Sequence, residues 1–439
     1  MRRMIGITPS SIRHHLVIFC MAVSCLPGCA VMEGIQRISS PYTVHPDSSL
    51  ERNTFPIVDG SDVIGRFAVI RLREGDTLPD IARHFSLGLG EISAANPGVD
   101  VWVPRAGERI MLPLRFILPD APRKGIVINV ATLRLFQYKE TRNSGPPMVT
   151  TYPVGVGTTE RPTPLGQMYV ERKVTRPTWY VPATIAEDHR KKGDPLPAQV
   201  PPGPENPLGE YALYLSRSSY LIHGTNKPAS IGMNATNGCL RLYPEDIKKL
   251  YESTPVNTPV SIVNQPYLVG RRNGIVYLEV HAPLEGSNPG ELKKMYAKLQ
   301  TIERETGRTL DWKQVERVLD EARGIPVPVL ELEPGRWVEH TIEVEHPGTL
   351  YGRPEIPELE TEAWYVWAAD LDDRTQALRI AAIMNHQGPQ IPARVLSRSN
   401  GYRVLAGPFD TQGEAREAAR RLKIDLEIDG VVIEPDRVN

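Results

Sequence analysis

The 41 prolines spread through this 439-residue chain set the first limit on what it can fold into. Each fixes its own φ, lacks a donor N–H and turns the preceding residue away from the helical region. Long uninterrupted helices are therefore excluded over most of the chain. Short strands, short helices and many turns remain, and at this length they are expected to group into about three domains. Charge narrows the function classes. The 51 Lys and Arg residues almost balance 52 Asp and Glu, for a formal net charge of −1. Binding driven by nucleic-acid phosphates needs a strong basic excess, so a nucleic-acid partner is excluded.

Residues 1–29 read as an export signal. Arg2, Arg3 and Arg13 precede the apolar run LVIFCMAVSCL at 16–26, which has signal-peptide length and is short for a bilayer span. The run ends in Leu26-Pro27-Gly28-Cys29, which resembles the lipobox of bacterial lipoproteins, although Pro27 departs from the usual small Ala or Ser. That resemblance implies a lipid on Cys29, and so an outer-membrane anchor as the one membrane contact. Cleavage near Ala30, giving a soluble periplasmic product, is the alternative. Export makes cysteine usage informative. Cys20, Cys25 and Cys29 lie in the signal region, so the exported body keeps Cys239 alone. In an oxidising compartment such a thiol has no internal disulfide partner and is open to oxidation. It is either buried and inert or a reactive nucleophile, and its neighbours must decide.

Residues 30–66 are polar and punctuated by Pro, as in a linker. In 67–114, a strand at 67–72 leads through Gly75-Asp76-Thr77, an N-cap signal, into a helix at 78–85. A second helix at 89–96 stops at Pro97-Gly98, and 110–114 returns as a strand. The stretches EGDTLPDIARHF, AANPG and GERIMLP resemble a LysM module. The resemblance implies a small βααβ unit that binds N-acetylglucosamine-containing glycans; a plain packing domain is the alternative. Residues 123–285 are dominated by Val-, Ile- and Tyr-rich runs bounded by Pro and Gly, with one clear helix at 243–251. They predict a mainly β, sandwich-like domain. Its segment 178–207 is long, Pro-rich and aperiodic, which reads as a lid or substrate loop. Residues 286–361 read as a connector, helical at 289–299 and 312–323 and extended from Pro326. Residues 362–437 follow a βαββαβ order, predicting a ferredoxin-like α+β sheet with helices on one face. The pairing of WYVWAADLDDRTQALRIAAIM with YRVLAGPFDTQGEAREAARRLK resembles a SPOR domain. This implies binding to peptidoglycan glycan strands stripped of their peptides, at the division septum.

The chemistry concentrates in LIHGTNKPASIGMNATNGCLRL at 221–242. A thiolate is the nucleophilic form of Cys, and an imidazole beside it can take the proton and hold an ion pair. The Gly- and Asn-rich loop between His223 and Cys239 can fold back to bring them together. Gly238 leaves room beside the sulfur, and the N–H groups of Gly238 and Cys239 are candidates for an oxyanion hole, with Asn237 contributing backbone. Arg241 lies two residues beyond Cys239, on the same face if the segment is extended. It is a candidate to meet a substrate carboxylate or to hold the local structure through a bidentate pair.

The HGT at 223–225 and NGCLRL at 237–242, with PVGVG at 153–157 and TPLG at 163–166, resemble the L,D-transpeptidase catalytic domain of the YkuD family. So do RPTWYVPATIAEDHRKKGDPLPAQVPPGPENPLGEYALYL and DIKKLYESTPVNTPVSIV. The resemblance implies Cys239 as nucleophile, His223 as base and the Gly224 carbonyl as the group that orients the imidazole. Thr225 and Tyr211 join Arg241 as substrate-binding candidates. Many members carry Ser and His before the Gly, where this chain has Thr236 and Asn237. The implied reaction attacks the diaminopimelate carbonyl of a peptidoglycan tetrapeptide stem, expels D-Ala and leaves a thioester. A second diaminopimelate would resolve it as a 3→3 cross-link, the terminal Lys of an outer-membrane lipoprotein as a wall anchor, and water as hydrolysis. The alternative from another class is a non-catalytic wall-binding scaffold. No cofactor is implied. His84, His189, His281 and His386 form no metal-binding pattern, no HExxH occurs, and the GxSxG elbow is absent.

Overall fold

The computed structural model describes residues 44–45, 50, 52–139, 145–283, 290–330 and 341–435. The export signal and Cys29 lie outside them. Among the described residues, no helix is long and apolar enough to cross a membrane.

The β-branched runs of the central region build a nine-stranded mixed sheet. Its order is Leu240–Arg241, Leu221–His223, Tyr211–Leu215, Gly166–Thr175, Pro259–Val263, Gly125–Asn129, Arg134–Lys139, Met148–Pro153 and Thr54–Pro56. One strand of this sheet changes partners along its length. Residues 166–169 of Gly166–Thr175 pair with Pro259–Val263, whereas 170–175 pair with Tyr211–Leu215 after a register shift between Val170 and Arg172. A shift of this kind kinks a strand and increases its local twist.

The helix Pro244–Ser253 starts with Pro244 in its first turn, where a missing N–H costs nothing, and buries Ile247 and Leu250. These side chains pack with Val154, Val156, Leu213, Ile222, Leu240 and Leu242. Each fully buried aliphatic side chain contributes about 1.5–3 kcal/mol, more than the few hydrogen bonds of a two-residue strand. The core therefore fixes the parallel pairing of Ile222 with Leu240 and of His223 with Arg241. That pairing joins the two ends of the loop between His223 and Cys239.

Residues 67–114 form strand, helix, helix and strand. Ala68–Arg71 runs antiparallel to Arg109–Leu112, with Leu78–His84 and Leu89–Ala95 between them. Thr77 caps the first helix by accepting from the Asp80 N–H. The unit is locked to the large sheet by Arg134, which is 1% exposed. Its Nε and Nη2 each lie 2.6 Å from the Glu91 carboxylate.

Two segments expected to be linkers are built into the fold. Within 30–66, Thr54–Pro56 extends the edge of the nine-stranded sheet and Val63–Gly65 pairs with Arg115–Ile117. The boundary at 285/286 cuts through a packed unit. The hairpin Tyr267–Arg272 and Ile275–Val280, the helices Gly290–Thr306 and Trp312–Glu321, and Val327–Pro328 enclose one core that includes Val269, Leu278, Leu299 and Val315. Further on, Ile342–Val344 inserts beside Ala68–Arg71, parallel to it.

The C-terminal unit has the expected βαββαβ order. Its antiparallel sheet runs Ala393–Arg398, Gly401–Phe409, Trp364–Leu371, Val431–Ile433. The helices Arg374–Asn385 and Gln412–Leu426 pack on it through Ala377, Ala381, Ala415 and Ala418. Small side chains let both helices lie close to the sheet.

Candidate active site

His223 ends its strand and is 3% exposed. Its Nδ1 lies 2.7 Å from the Gly224 carbonyl oxygen. A carbonyl can only accept, so Nδ1 carries the hydrogen and Nε2 is left as an acceptor. Burial, reinforced by the Arg241 charge, pushes the imidazole down to about 3. Its resting form is neutral.

The half-buried Cys239 follows Gly238, whose φ of +101° is open to glycine and strained for other residues. A Cβ there would also sit 2.9 Å from Cε1 of Tyr220. Two threonines lock this turn. Thr236 Oγ1 donates to the Cys239 carbonyl at 2.6 Å and accepts from the Gly238 N–H at 3.1 Å. Thr163 Oγ1 donates to the Gly238 carbonyl at 3.0 Å and accepts from the Gly157 N–H at 2.9 Å. The expected oxyanion pair is thereby corrected. The Gly238 N–H is committed to Thr236, and only the Cys239 N–H has no partner among the described residues.

The Cys239 thiol donates to the Ser219 carbonyl at 3.7 Å. Burial pushes the thiol up, against the smaller pull of the Leu221 N–H and Arg241. Thiol and imidazole are thus both pushed toward their neutral forms. The ion pair expected from the sequence is therefore disfavoured.

His223, Cys239 and Arg241 line one cavity of about 790 Å³. The Nε of Arg241 is buried without a hydrogen-bond partner, and among the described residues Arg241 makes no ion pair. The bidentate structural role is therefore not seen. Thr225 and Tyr211 are not among the residues of this cavity. The Thr225 hydroxyl is buried and accepts from the Lys227 N–H at 2.9 Å. Ala212 is the cross-strand partner of His223. Tyr211, one residue away, therefore faces the other side of the sheet, where its ring meets Tyr251 at 5.1 Å.

Arg161 was not picked out from the sequence. Its Nη1 donates to Asn237 Oδ1 and its Nη2 to Asp188 Oδ2, both at 2.5 Å. Asp188 sits on the helix Ala183–Lys191, which together with the hairpin Trp179–Tyr180 and Gln199–Val200 gives structure to the aperiodic segment 178–207. Arg161 thus ties that segment to the residue two before Cys239. A single Arg between two Pro-rich turns carries no sequence signal for this.

Comparison with known proteins bears on the same region. A family model of the L,D-transpeptidase catalytic domain (YkuD) matches residues 123–262, and a SPOR domain model matches residues 360–434. The chain is 40% identical over 286 residues to the probable L,D-transpeptidase YbiS of Escherichia coli (strain K12), covering 62% of this chain and 91% of that protein. The chain belongs to the L,D-transpeptidase family. It is also 38% identical to the probable L,D-transpeptidase ErfK/SrfK of Salmonella typhimurium (strain LT2), over 63% of this chain and 91% of the relative. L,D-transpeptidase 3 from Mycobacterium tuberculosis, a solved structure, overlaps 37% of this chain and 72% of its own at 17% identity, with a TM-score of 0.23, too low to carry an argument. This L,D-transpeptidase therefore joins a YkuD catalytic domain, which contains His223 and Cys239, to a C-terminal SPOR domain.

Proposed function

We propose that Cys239 is the nucleophile, His223 the proton carrier and the Gly224 carbonyl the orienting group of this transpeptidase. The observation that carries the reading is the Nδ1 to Gly224 hydrogen bond, which leaves Nε2 available in the cavity that holds the thiol. As Sγ bonds to the diaminopimelate carbonyl of a tetrapeptide stem, the thiol proton passes to Nε2. The Cys239 N–H faces the developing oxyanion. Collapse breaks the bond to D-Ala, whose amine takes the proton from Nε2, and a thioester remains. An acceptor amine then attacks the thioester and gives its proton to Nε2. The C–S bond breaks, a new amide is left, and the proton returns to sulfur. Diaminopimelate as acceptor gives a 3→3 cross-link; the terminal Lys of an outer-membrane lipoprotein gives a wall anchor.

The accessory parts fit a periplasmic, wall-bound enzyme. The βααβ build of 67–114 and its motifs support a LysM-like hold on glycan. The SPOR domain supports binding to bare glycan strands and enrichment at the septum, and the lipobox-like Cys29 supports an outer-membrane anchor.

Intact mass after incubation of the reduced protein with a carbapenem tests the assignment. One adduct is expected on the native chain and none on Cys239→Ala, which should also lose cross-linking to background. Full activity in that variant overturns the reading, and a non-catalytic scaffold would form no adduct at all.

A further inference from the structure

The cavity that holds Cys239 is not walled by the catalytic domain alone. Arg420, Arg421 and Asp425 of the helix Gln412–Leu426, and the turn at Gly388 and Pro389, also line it. Several contacts seat the SPOR unit there. Arg420 Nη1 donates to Asp194 Oδ1 of segment 178–207 at 2.7 Å. Gly388 approaches so closely that a Cβ would lie 2.0 Å from the Asn226 carbonyl oxygen. On the other SPOR helix, Arg379 meets Asp100 at 2.5 Å and His386 meets Asp80 at 3.1 Å, holding the unit against residues 67–114.

The charges on this shared wall are unevenly matched. Arg420 is paired with Asp194 and Glu417, and Arg161 with Asp188. Lys227, Arg241 and Arg421 line the same cavity, and among the described residues none of them is within ion-pair distance of a carboxylate. They lie near enough to interact. Desolvation, with Arg241 and Arg421 adding to it, lowers Lys227 against the pull of Asp425 and Asp194. Arg421 spends part of its fork on the Pro389 carbonyl, which holds the guanidinium at the wall. Glu205 and Asp425 also line the cavity, but none of these three cations has a carboxylate at ion-pair distance, so unpaired positive charge is left in excess and is matched by an anionic ligand group.

We propose that Arg421 of the SPOR helix, together with Lys227, forms a subsite that receives a free carboxylate of the stem peptide held at Cys239. The SPOR unit then contributes to substrate specificity as well as to attachment. The inference rests on the assignment of Cys239 as nucleophile.

The test uses the full chain, a soluble disaccharide-tetrapeptide, and the same compound with its free carboxylates converted to amides. Arg421→Gln is expected to raise KM for the carboxylate substrate about tenfold or more, the scale of a lost charge-assisted hydrogen bond, with kcat within about twofold. Arg421→Lys, which keeps the charge, should regain most of the affinity. On the amidated substrate, native and variant enzymes should be indistinguishable. An equal KM rise on both substrates, or no rise on either, overturns the subsite. Carbapenem adduct formation separates the two failures. A native chain that forms no adduct overturns the Cys239 assignment and this inference with it, whereas an adduct with KM insensitive to Arg421 overturns the subsite alone.

Discussion

At the cavity, His223 donates through Nδ1 to the Gly224 carbonyl and faces no carboxylate at hydrogen-bond distance among the described residues. Where residues 67–114 meet the rest of the chain, His346 and His386 instead place Nε2 on buried aspartates, Asp76 at 2.9 Å and Asp80 at 3.1 Å. Arg353 lies between the same two carboxylates, at 3.8 and 3.9 Å. All three imidazoles are well enclosed, yet they are equipped differently. A peptide carbonyl fixes the ring and its tautomer without adding charge and leaves the other nitrogen open. A carboxylate on Nε2 consumes the nitrogen that a proton carrier needs. The junction histidines are placed as clamps, whereas His223 keeps Nε2 open, as its proposed role as base requires.

The sharpest way to break this contrast is to remove one histidine of each kind. His223→Ala should slow carbapenem acylation by about 10²–10⁴-fold, the range expected for a lost general base. His386→Ala should leave acylation within about threefold and instead cost about 1–3 kcal/mol in urea unfolding, as the buried Asp80 loses a partner. Stopped-flow acylation and equilibrium unfolding read the two effects separately. Equal losses of acylation rate would erase the distinction.

Much of this arrangement was legible in the sequence because it is local. Val- and Ile-rich runs between Pro and Gly marked most strands of the central sheet, and the alternation of strands with Ala-rich helices marked the C-terminal unit. HGT and NGCLRL carry His223 and Cys239, which both line the cavity. What failed is set by distance along the chain. Arg161 meets Asn237 across 76 residues, and Arg420 meets Asp194 across 226. No periodicity reports such pairs. The expected connector at 286–361 is in part a packed unit, illegible in the sequence for a related reason. Met295, Leu299 and Ile302 follow helical spacing, but the hairpin surface they cover lies before the supposed boundary. Thr225 and Tyr211 lie near His223 in sequence and in the sheet, but a turn and strand alternation carry their side chains elsewhere.

The second prediction concerns pH. Unfolded, His223 takes a proton below about 6.5. Folded, burial delays protonation to about 3. The stability this provides is complete above the unfolded value and is lost as pH falls from there toward 3. The native chain should therefore lose about 2–3 kcal/mol more than His223→Gln between pH 7.5 and pH 4.5, measured by urea titration. The same shift bears on catalysis. Acylation should show no acid limb near pH 6.5, and it should rise on the alkaline side as the raised Cys239 thiol ionises. A limb near 6.5 would mean that His223 is solvated and charged like an ordinary surface histidine.

The smallest expected effect tests how the turn before the thiol is held. The contacts of Thr163 to Gly157 and Gly238 involve only hydroxyl and peptide groups. Thr163→Val keeps the side-chain shape and removes both hydrogen bonds, leaving a buried N–H and a buried carbonyl unsatisfied. The cost should be about 1–2 kcal/mol, with acylation slowed severalfold as the Gly238 peptide loses its fixed orientation. No group in these contacts titrates near neutrality, so the loss should be the same at pH 5 and pH 8. A pH-dependent loss would show that Thr163 acts through a charged neighbour. The cavity would then rest on the kind of ionic contact found at the junction, and the contrast between the two regions would disappear.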